Sequence, residues 1–180
     1  MTRITIVDPA AATGKAKSLL DAVQAQLGIT PNFIRVLANA PAALEGFLGL
    51  YTLAGNGVLE PATRTRIALA VAEQNGCEYC VSVHTAMAQG AGLGEDDIAA
   101  ARAGGSAEPK ADAAVKFARA LVATSGEVST AQFDAARSAL SEEEVVEVIA
   151  HVALNVFTNT LGKSTQVEID FPKMALLKAA

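Results

Sequence analysis

Apolar residues recur at three- and four-residue intervals along most of this chain, a spacing that places them on one face of a helix. Prolines and glycines mark where such stretches begin and end. The pattern predicts helices over 9–27, 33–37, 41–55, 61–75, 77–90, 95–102 and 111–125. The chain shows neither a strand-helix-strand alternation nor a glycine-rich phosphate loop, so it does not predict a nucleotide-binding fold.

Two capping boxes predict the helices nearer the C-terminus. Ser129 and Ser141 are each followed three residues later by a glutamine or glutamate, which is the pattern of a serine that caps the first turn of a helix. We expect these helices over about 130–140 and 142–161. Apolar and polar residues then alternate over 165–171, which predicts an extended arm.

The dipeptide Asn75-Gly76 leaves two interpretations open. It either ends one helix, so that Cys77 begins another, or it kinks a single long helix. Because both residues are typical of turns, the break is favoured. In that case Glu73 need not share a helix face with the residues that follow the turn.

Composition supports a helical globular protein. Of the 180 residues, 51% are hydrophobic and 18% are charged, proportions that fit a folded chain. Alanine, the best helix former, is abundant, and aromatic residues make up only 4%. We expect one all-α domain over 1–180, with a redox-motif core at about 41–125 and C-terminal helices and an extended tail over 129–180. The mean hydropathy of +0.32 also indicates apolar surface buried between subunits.

Net charge and the length of the apolar stretches indicate which partners and which location to expect. The net charge of −5 and the absence of a basic run argue against nucleic acid as a partner. No apolar stretch reaches about 18 residues and the N-terminus lacks the layout of a signal peptide, so we expect no membrane span and a cytoplasmic location. In a reducing compartment, a Cys-x-x-Cys pair is more often catalytic or metal-binding than structural.

One stretch carries most of the residues capable of chemistry. Glu73, Cys77, Cys80 and His84 follow one another at intervals of four, three and four residues, which is same-face spacing on a helix. His84 can reach Cys80 as its base, whereas the backbone amides of a helix N-terminus favour a thiolate at Cys77. The two effects point to different cysteines.

A Cys-x-x-Cys pair suits two-electron redox chemistry. One thiolate attacks a peroxide and becomes a sulfenic acid, and the other cysteine then closes a disulfide across one helical turn. The leaving hydroxide needs a proton, a role that suits His84.

The run from Asn75 to Cys80, Asn-Gly-Cys-Glu-Tyr-Cys, followed by His84, resembles the motif of AhpD-like proteins in the carboxymuconolactone decarboxylase superfamily. The similarity covers 66–85 and extends to 154–159 and 168–172, as in peroxidase-related members. It implies an all-helical AhpD-like fold, assembly into trimers or hexamers, and an antioxidant, peroxiredoxin-type alkylhydroperoxidase activity that requires no metal or bound cofactor.

By this resemblance, Cys80 attacks an organic hydroperoxide, Cys77 resolves to a disulfide and His84 serves in the proton relay. An external dithiol reductant, thioredoxin-like or lipoyl-type, then restores both thiols. Related proteins often carry a relay glutamate twelve residues before the first cysteine, where this chain has Thr65. Glu73 is the candidate replacement.

Three further residues are candidates for lining the pocket. Tyr79 lies within the motif, and Asn155 follows His151 at helical spacing in an apolar helix. Each also has a structural interpretation, since tyrosine is a frequent packing residue and buried histidine and asparagine side chains often form hydrogen bonds between helices.

Two other functions stay open at this point. A lactone decarboxylase or hydrolase of the same superfamily would work by acid–base chemistry and would not need the cysteines. A non-catalytic structural protein could instead hold zinc through Cys77, Cys80, His84 and one of His151 or Glu73, although no second cysteine pair is present.

Overall fold

The computed structural model describes residues 2–177, with the exception of the Leu53 side chain, and within this part of the chain it contains helices and no strand. The helices are α1 (Gly14–Leu27), α2 (Asn32–Leu37), α3 (Pro41–Gly55), α4 (Pro61–Gln74), α5 (Glu78–Gly90), α6 (Glu95–Ala103), α7 (Pro109–Ala123), α8 (Thr130–Arg137) and α9 (Glu142–Thr165). The all-α prediction is confirmed.

Helix α4 lies at the centre of the fold. It packs against α5, α6, α7 and α9, and its residues 66–72 are all buried. Most of these side chains are small or branched, which lets four helices approach the same helix closely. One apolar core, which includes Leu20 and Leu44, surrounds the cysteine motif. Another, around Val115 and Val148, joins α4, α7 and α9.

The two capping boxes identified in the sequence form as predicted. Ser129 Oγ and Ser141 Oγ each accept a hydrogen bond from the third residue of their helix, and the reciprocal side-chain bonds complete both capping boxes. Proline occupies the first position of α4 and of α7, where its missing N–H costs no helical hydrogen bond.

The start of the first helix was predicted wrongly. It begins at Gly14 rather than at residue 9, because Asp8 Oδ1 accepts a hydrogen bond from Ala10 N at 3.0 Å and turns the chain there. Thr13 is then extended and Gly14 has a φ of 57°, so the turn cannot continue into the helix.

The C-terminal boundaries also differ from the prediction. Helix α8 ends earlier, and α9 continues about one turn further, to where Gln166 adopts a left-handed conformation with a φ of 51°. The arm beyond it has no regular secondary structure. Its apolar residues Val167, Ile169 and Phe171 pack against the core that surrounds the cysteines.

Helix α9 is long and apolar enough to cross a membrane by length and composition, which the sequence analysis did not anticipate. Its most apolar window has a mean hydropathy of 1.3, and 44% of that window is buried within the protein. The buried face packs on α4 and α7 and carries polar residues. These contacts are typical of the core helix of a globular fold.

Candidate redox site

The turn between α4 and α5 places Cys77. Asn75 and Gly76 end α4, and Gly76 has a φ of 63°, which glycine adopts without strain. The predicted helix break is therefore confirmed. Cys77 then has an extended backbone and caps α5, since its Sγ accepts a hydrogen bond from Cys80 N at 3.3 Å.

Cys77 and Cys80 form a disulfide across the first turn of α5, with Cα atoms 5.2 Å apart. The two residues are only 1% and 2% exposed. Helix α9 covers them at Gly162, where a Cβ would lie 3.1 Å from Cys77 Sγ and 3.6 Å from Cys80 Sγ. The redox pair is thus buried beneath a helix that has no side chain at the point of contact.

A stripe of four buried residues on α9 follows the motif along its length. His151, Asn155, Asn159 and Gly162 are spaced by four, four and three residues, so they share one helix face. Asn159 Oδ1 accepts a hydrogen bond from Asn75 Nδ2 at 2.9 Å. Its own Nδ2 is buried and has no hydrogen-bond partner within residues 2–177. The stripe therefore presents amide groups to the turn that carries the first cysteine.

An open groove of about 420 Å³ borders the same turn on the outside of α9. Lys163 Nζ donates a hydrogen bond to Asn75 O at 2.5 Å at this groove. Neither cysteine is among its lining residues, which are Asn75, Val156, Asn159, Thr160, Lys163 and Ser164. The groove therefore leads to the turn but not to a sulfur.

His84 lies one turn beyond Cys80 on α5 and is partly buried. The loss of solvent lowers the pKa of His84 to about 4, and a hydrogen bond with the Asn155 side chain opposes this change. Because Asn155 Nδ2 donates to His151 O at 2.8 Å, Asn155 Oδ1 is the group that can accept from the His84 ring. His84 is therefore neutral at pH 7 and keeps a lone pair that can take a proton.

Glu73 is held at the other side of the α4–α5 turn. Its Oε2 accepts a hydrogen bond from Arg102 Nε at 2.9 Å, in an ion pair whose side chains are 9% and 8% exposed. Its Oε1 accepts from Leu177 N, and Arg102 also donates to Ala175 O. Oε1 thus binds the C-terminal end of the arm directly, and Oε2 binds it through Arg102. The relay role of Glu73 stays a prediction, and it requires this ion pair to open.

The relay position holds a threonine in place of a carboxylate, and no set of zinc ligands is grouped among residues 2–177. Thr65 Oγ1 donates to Pro61 O at 2.9 Å, so its hydroxyl is bound within its own helix. Among residues 2–177, no three His, Cys, Asp or Glu side chains are grouped as metal ligands. The zinc ligand set considered from the sequence is therefore not brought together in that part of the chain.

Tyr79 joins three parts of the fold. Its hydroxyl accepts a hydrogen bond from Phe33 N at 3.2 Å and donates to Asp170 Oδ1 at 2.9 Å. Its ring packs on Phe33 and Phe171, with centroids 6.1 and 6.2 Å away. Burial is the main cause that raises the pKa of Tyr79, which stays protonated. The hydroxyl is thus bound to α2 and the tail, which matches the packing interpretation.

His151 lies at the far end of the stripe. It is 6% exposed, and its Nε2 has no hydrogen-bond partner in the described part of the chain. Burial lowers the pKa of His151, and the charge of Arg64 lowers it further. A hydrogen bond to the backbone of Ala54 acts in the opposite direction. Asn155 links this histidine to His84, so the structure brings these three predicted residues together.

Gly162 is the residue of this site that sequence reasoning missed. It has no functional group, and only its spacing of three residues after Asn159 on the same helix face could have signalled it.

The chain has an all-helical fold that matches the AhpD-like fold, and it carries a buried Cys-x-x-Cys pair. Residues 41–124 match the sequence model of the carboxymuconolactone decarboxylase family. This matching stretch covers α3 to α7 and contains the cysteine pair. A search of curated proteins finds no match to this sequence.

Several solved structures share the whole fold. A peroxidase-related protein with an alkylhydroperoxidase AhpD core, from Ralstonia eutropha JMP134, is 22% identical with a TM-score of 0.82, covering 94% of this chain and 92% of its own. The debrominase Bmp8, solved in apo form, is 22% identical with a TM-score of 0.81 over 94% and 93% of the chains. A peroxidase-related protein from Silicibacter sp. TM1040 is 19% identical with a TM-score of 0.80 over 97% and 92%.

Proposed function

We propose that this protein is a thiol-dependent reductase of organic hydroperoxides in which Cys80 attacks and Cys77 resolves. The observation that carries the proposal is the disulfide between these residues at the N-terminus of α5, with the neutral His84 one turn further along. In this proposal the protein acts in the cytoplasm.

The reaction begins when His84 takes the proton of the Cys80 thiol. The thiolate attacks the terminal oxygen of the hydroperoxide, the O–O bond breaks, and the alkoxide leaves as an alcohol after it takes a proton. Cys80 is then a sulfenic acid. The Cys77 sulfur attacks Cys80 Sγ and displaces hydroxide, which leaves as water and completes the disulfide.

An external dithiol returns the site to its starting state. Its thiolate attacks the disulfide to give a mixed disulfide, and its second thiol releases the protein as two thiols. The sum is one hydroperoxide and one dithiol converted into one alcohol, one water and one disulfide. The donor class that we propose is a thioredoxin-like or lipoyl-type dithiol.

Peroxide consumption by cysteine variants tests this proposal. In a coupled assay with cumene hydroperoxide and dithiothreitol, Cys80→Ser should reduce turnover to background. Reduced Cys77→Ser from which dithiothreitol has been removed should consume about one peroxide per protein and stop, and trapping with dimedone should detect a sulfenic acid on Cys80. Unchanged turnover in Cys80→Ser would rule the mechanism out. A sulfenic acid on Cys77 in that variant would instead reverse the assignment of the two cysteines.

A second candidate is reductive removal of halogen from an organic halide. The fold shared with the debrominase Bmp8 and the absence of a carboxylate at Thr65 favour testing it. A dithiol supplies the two electrons, so that the carbon–halogen bond becomes carbon–hydrogen and halide is released with a disulfide. Bromide release from 2,3,4-tribromopyrrole, the compound bound in a crystal structure of a Bmp8 variant, is measured beside peroxide loss in the same variants and separates the two reactions.

The cysteine-free variant separates both redox reactions from acid–base lactone chemistry. A lactone decarboxylase or hydrolase would keep its activity in Cys77→Ser/Cys80→Ser, because its proton transfers need no thiol. Loss of every activity in this variant would leave the redox proposal in place.

We also propose that the protein forms a homo-oligomer, a trimer or a hexamer. An apolar strip is exposed along the outside of α9, where Val146, Ile149 and Val156 are 64%, 44% and 38% exposed. Tyr51 on α3 and Phe157 extend it, with Phe47 stacked between their rings. Exposed apolar surface of this kind marks an interaction site. Light scattering of Ile149→Lys against wild type tests whether the strip joins copies.

A further inference from the structure

Gly162 is the point at which α9 approaches both sulfur atoms of the redox pair. The ideal position of its missing Cβ is 3.1 Å from Cys77 Sγ and 3.6 Å from Cys80 Sγ, and 4.0 Å from Tyr79 Cβ. Because Gly162 lies inside α9 with no positive φ, the backbone does not require glycine there. The reason for glycine at this position is the approach of the helix to the disulfide.

Reduction changes the space that the two sulfurs need. Bonded sulfurs are about 2 Å apart, whereas atoms without a bond stay roughly 3.5 to 4 Å apart. The sulfurs of Cys77 and Cys80 must therefore separate by roughly 1.5 Å when the disulfide opens, and both are buried in close-packed surroundings. At Gly162 both sulfurs face a helix backbone that carries no side chain, so a movement towards α9 meets no Cβ there.

We propose that Gly162 is a positioning residue that sets the redox equilibrium of the Cys77–Cys80 pair by leaving room for the separated thiols. The same position without a side chain lies beside Cys80 Sγ, where an oxygen is added during the peroxide reaction. The inference rests on the proposed function only in requiring that the pair cycles between disulfide and dithiol. In that cycle the disulfide gains two electrons and two protons from an external dithiol, which becomes a disulfide.

The direction of the effect follows from the contact distances. A methyl group in Gly162→Ala would crowd Cys77 Sγ already in the disulfide, and the thiols would crowd it more because they occupy a larger volume. The equilibrium should therefore shift towards the disulfide. We expect the equilibrium constant for reduction by dithiothreitol to fall about tenfold, which corresponds to about 30 mV in this two-electron couple.

The experiment measures the fraction of disulfide in mixtures of reduced and oxidised dithiothreitol by acid quench and mass spectrometry. Gly46→Ala is the matched control, because Gly46 also lies in a helix and its Cβ would meet nothing within 4 Å. The control should leave the equilibrium unchanged. An unchanged equilibrium in Gly162→Ala, or a shift towards the dithiol, would overturn the inference.

A second measurement applies even if Gly162→Ala folds poorly. In a Cys77→Ala background the atom nearest to the new methyl group is absent, so Gly162→Ala should fold and be at least as stable as its parent. Equal loss of stability in both backgrounds would overturn the contact on which the inference rests. A wild-type pair that cannot be reduced by dithiothreitol would instead contradict the proposed function.

Discussion

Helix α5 has two faces that differ in how their polar groups are satisfied. The face towards α9 carries Cys77, Cys80 and His84, and it meets a stripe in which Asn159 Nδ2 has no hydrogen-bond partner among residues 2–177. On the face towards the C-terminal arm, Ser82 Oγ donates to Glu78 O at 2.7 Å and accepts from Met174 N at 3.0 Å.

One face of α5 is therefore suited to chemistry, and the other face holds the helix in place. Groups on the α9 face keep unused hydrogen-bonding capacity, which a substrate or a transition state can use. On the arm face, Ser82 Oγ and the Tyr79 hydroxyl form hydrogen bonds with the arm, and these bonds fix the position of the helix. Substitutions on the two faces should therefore affect different quantities, turnover on one face and the free energy of unfolding on the other.

The largest effect should come from the ion pair that anchors the arm. Glu73→Ala leaves Arg102 buried without its carboxylate, so we expect the free energy of unfolding to fall by about 3 to 5 kcal/mol in urea titrations. Glu45→Ala is the control, because its ion pair with Lys15 is exposed on both sides and should contribute little.

Glu73→Gln distinguishes an anchoring role of Glu73 from a role in proton transfer. Assayed at a urea concentration below its unfolding midpoint, this variant should keep its turnover if Glu73 only anchors the arm. A loss of about 100-fold or more, the range for a general acid or base, would place Glu73 in the proton relay predicted from the sequence.

On the α9 face, His84→Gln should lower peroxide turnover about 100-fold, because the variant has no group that accepts the Cys80 proton. Its unfolding midpoint at pH 7 should change little, since His84 is neutral there. Asn155→Ala should produce a smaller decrease of the same kind. Wild-type turnover in His84→Gln would contradict the assignment of this face to chemistry.

Stability should also depend on pH through His84. An unfolded histidine binds a proton below about pH 6.5, whereas folded His84 does so only below about pH 4. The unfolded state therefore binds more protons between these values, so stability falls as pH falls from 6.5 to 4, by about 2 kcal/mol. His84→Gln should flatten this part of the profile, and the slope that remains should reflect His151 and the carboxylates.

The smallest effect should come from the Tyr79 hydroxyl on the arm face. Tyr79→Phe keeps the ring contacts but leaves Phe33 N and Asp170 without this partner, so we expect a loss of about 1 to 2 kcal/mol. Turnover below the unfolding midpoint should match wild type. A large loss of turnover without a loss of stability would move Tyr79 to the reactive face.

The sequence predicted the order of the helices and the turn at Asn75-Gly76, because proline, glycine and capping serines act locally. It also predicted that the redox pair stands at the start of α5, since helical spacing relates Cys77, Cys80 and His84. The false start at residue 9 shows the limit of such signals. Asp8 and Pro9 form a helix-like turn by themselves, and Gly14 prevents its continuation.

Partners that are distant in sequence could not be predicted in this way. Nothing in the chain near Glu73 indicates that Arg102 and the arm will bind both of its oxygens. In the same way, Gly162 acquires a role only because α9 crosses the disulfide more than 80 residues later in the chain. Such contacts depend on tertiary packing, which local propensity does not encode.

The burial of both sulfurs has a consequence for the kinetics of electron entry. Thiol exchange requires direct attack of one sulfur on another, and neither Cys77 nor Cys80 presents a reachable sulfur in this conformation. A donor can therefore react only after the protein has opened and exposed one of the two sulfurs. Above a certain donor concentration the opening step limits the rate, so the reduction rate reaches a plateau that is the same for every donor and reports the frequency of that motion.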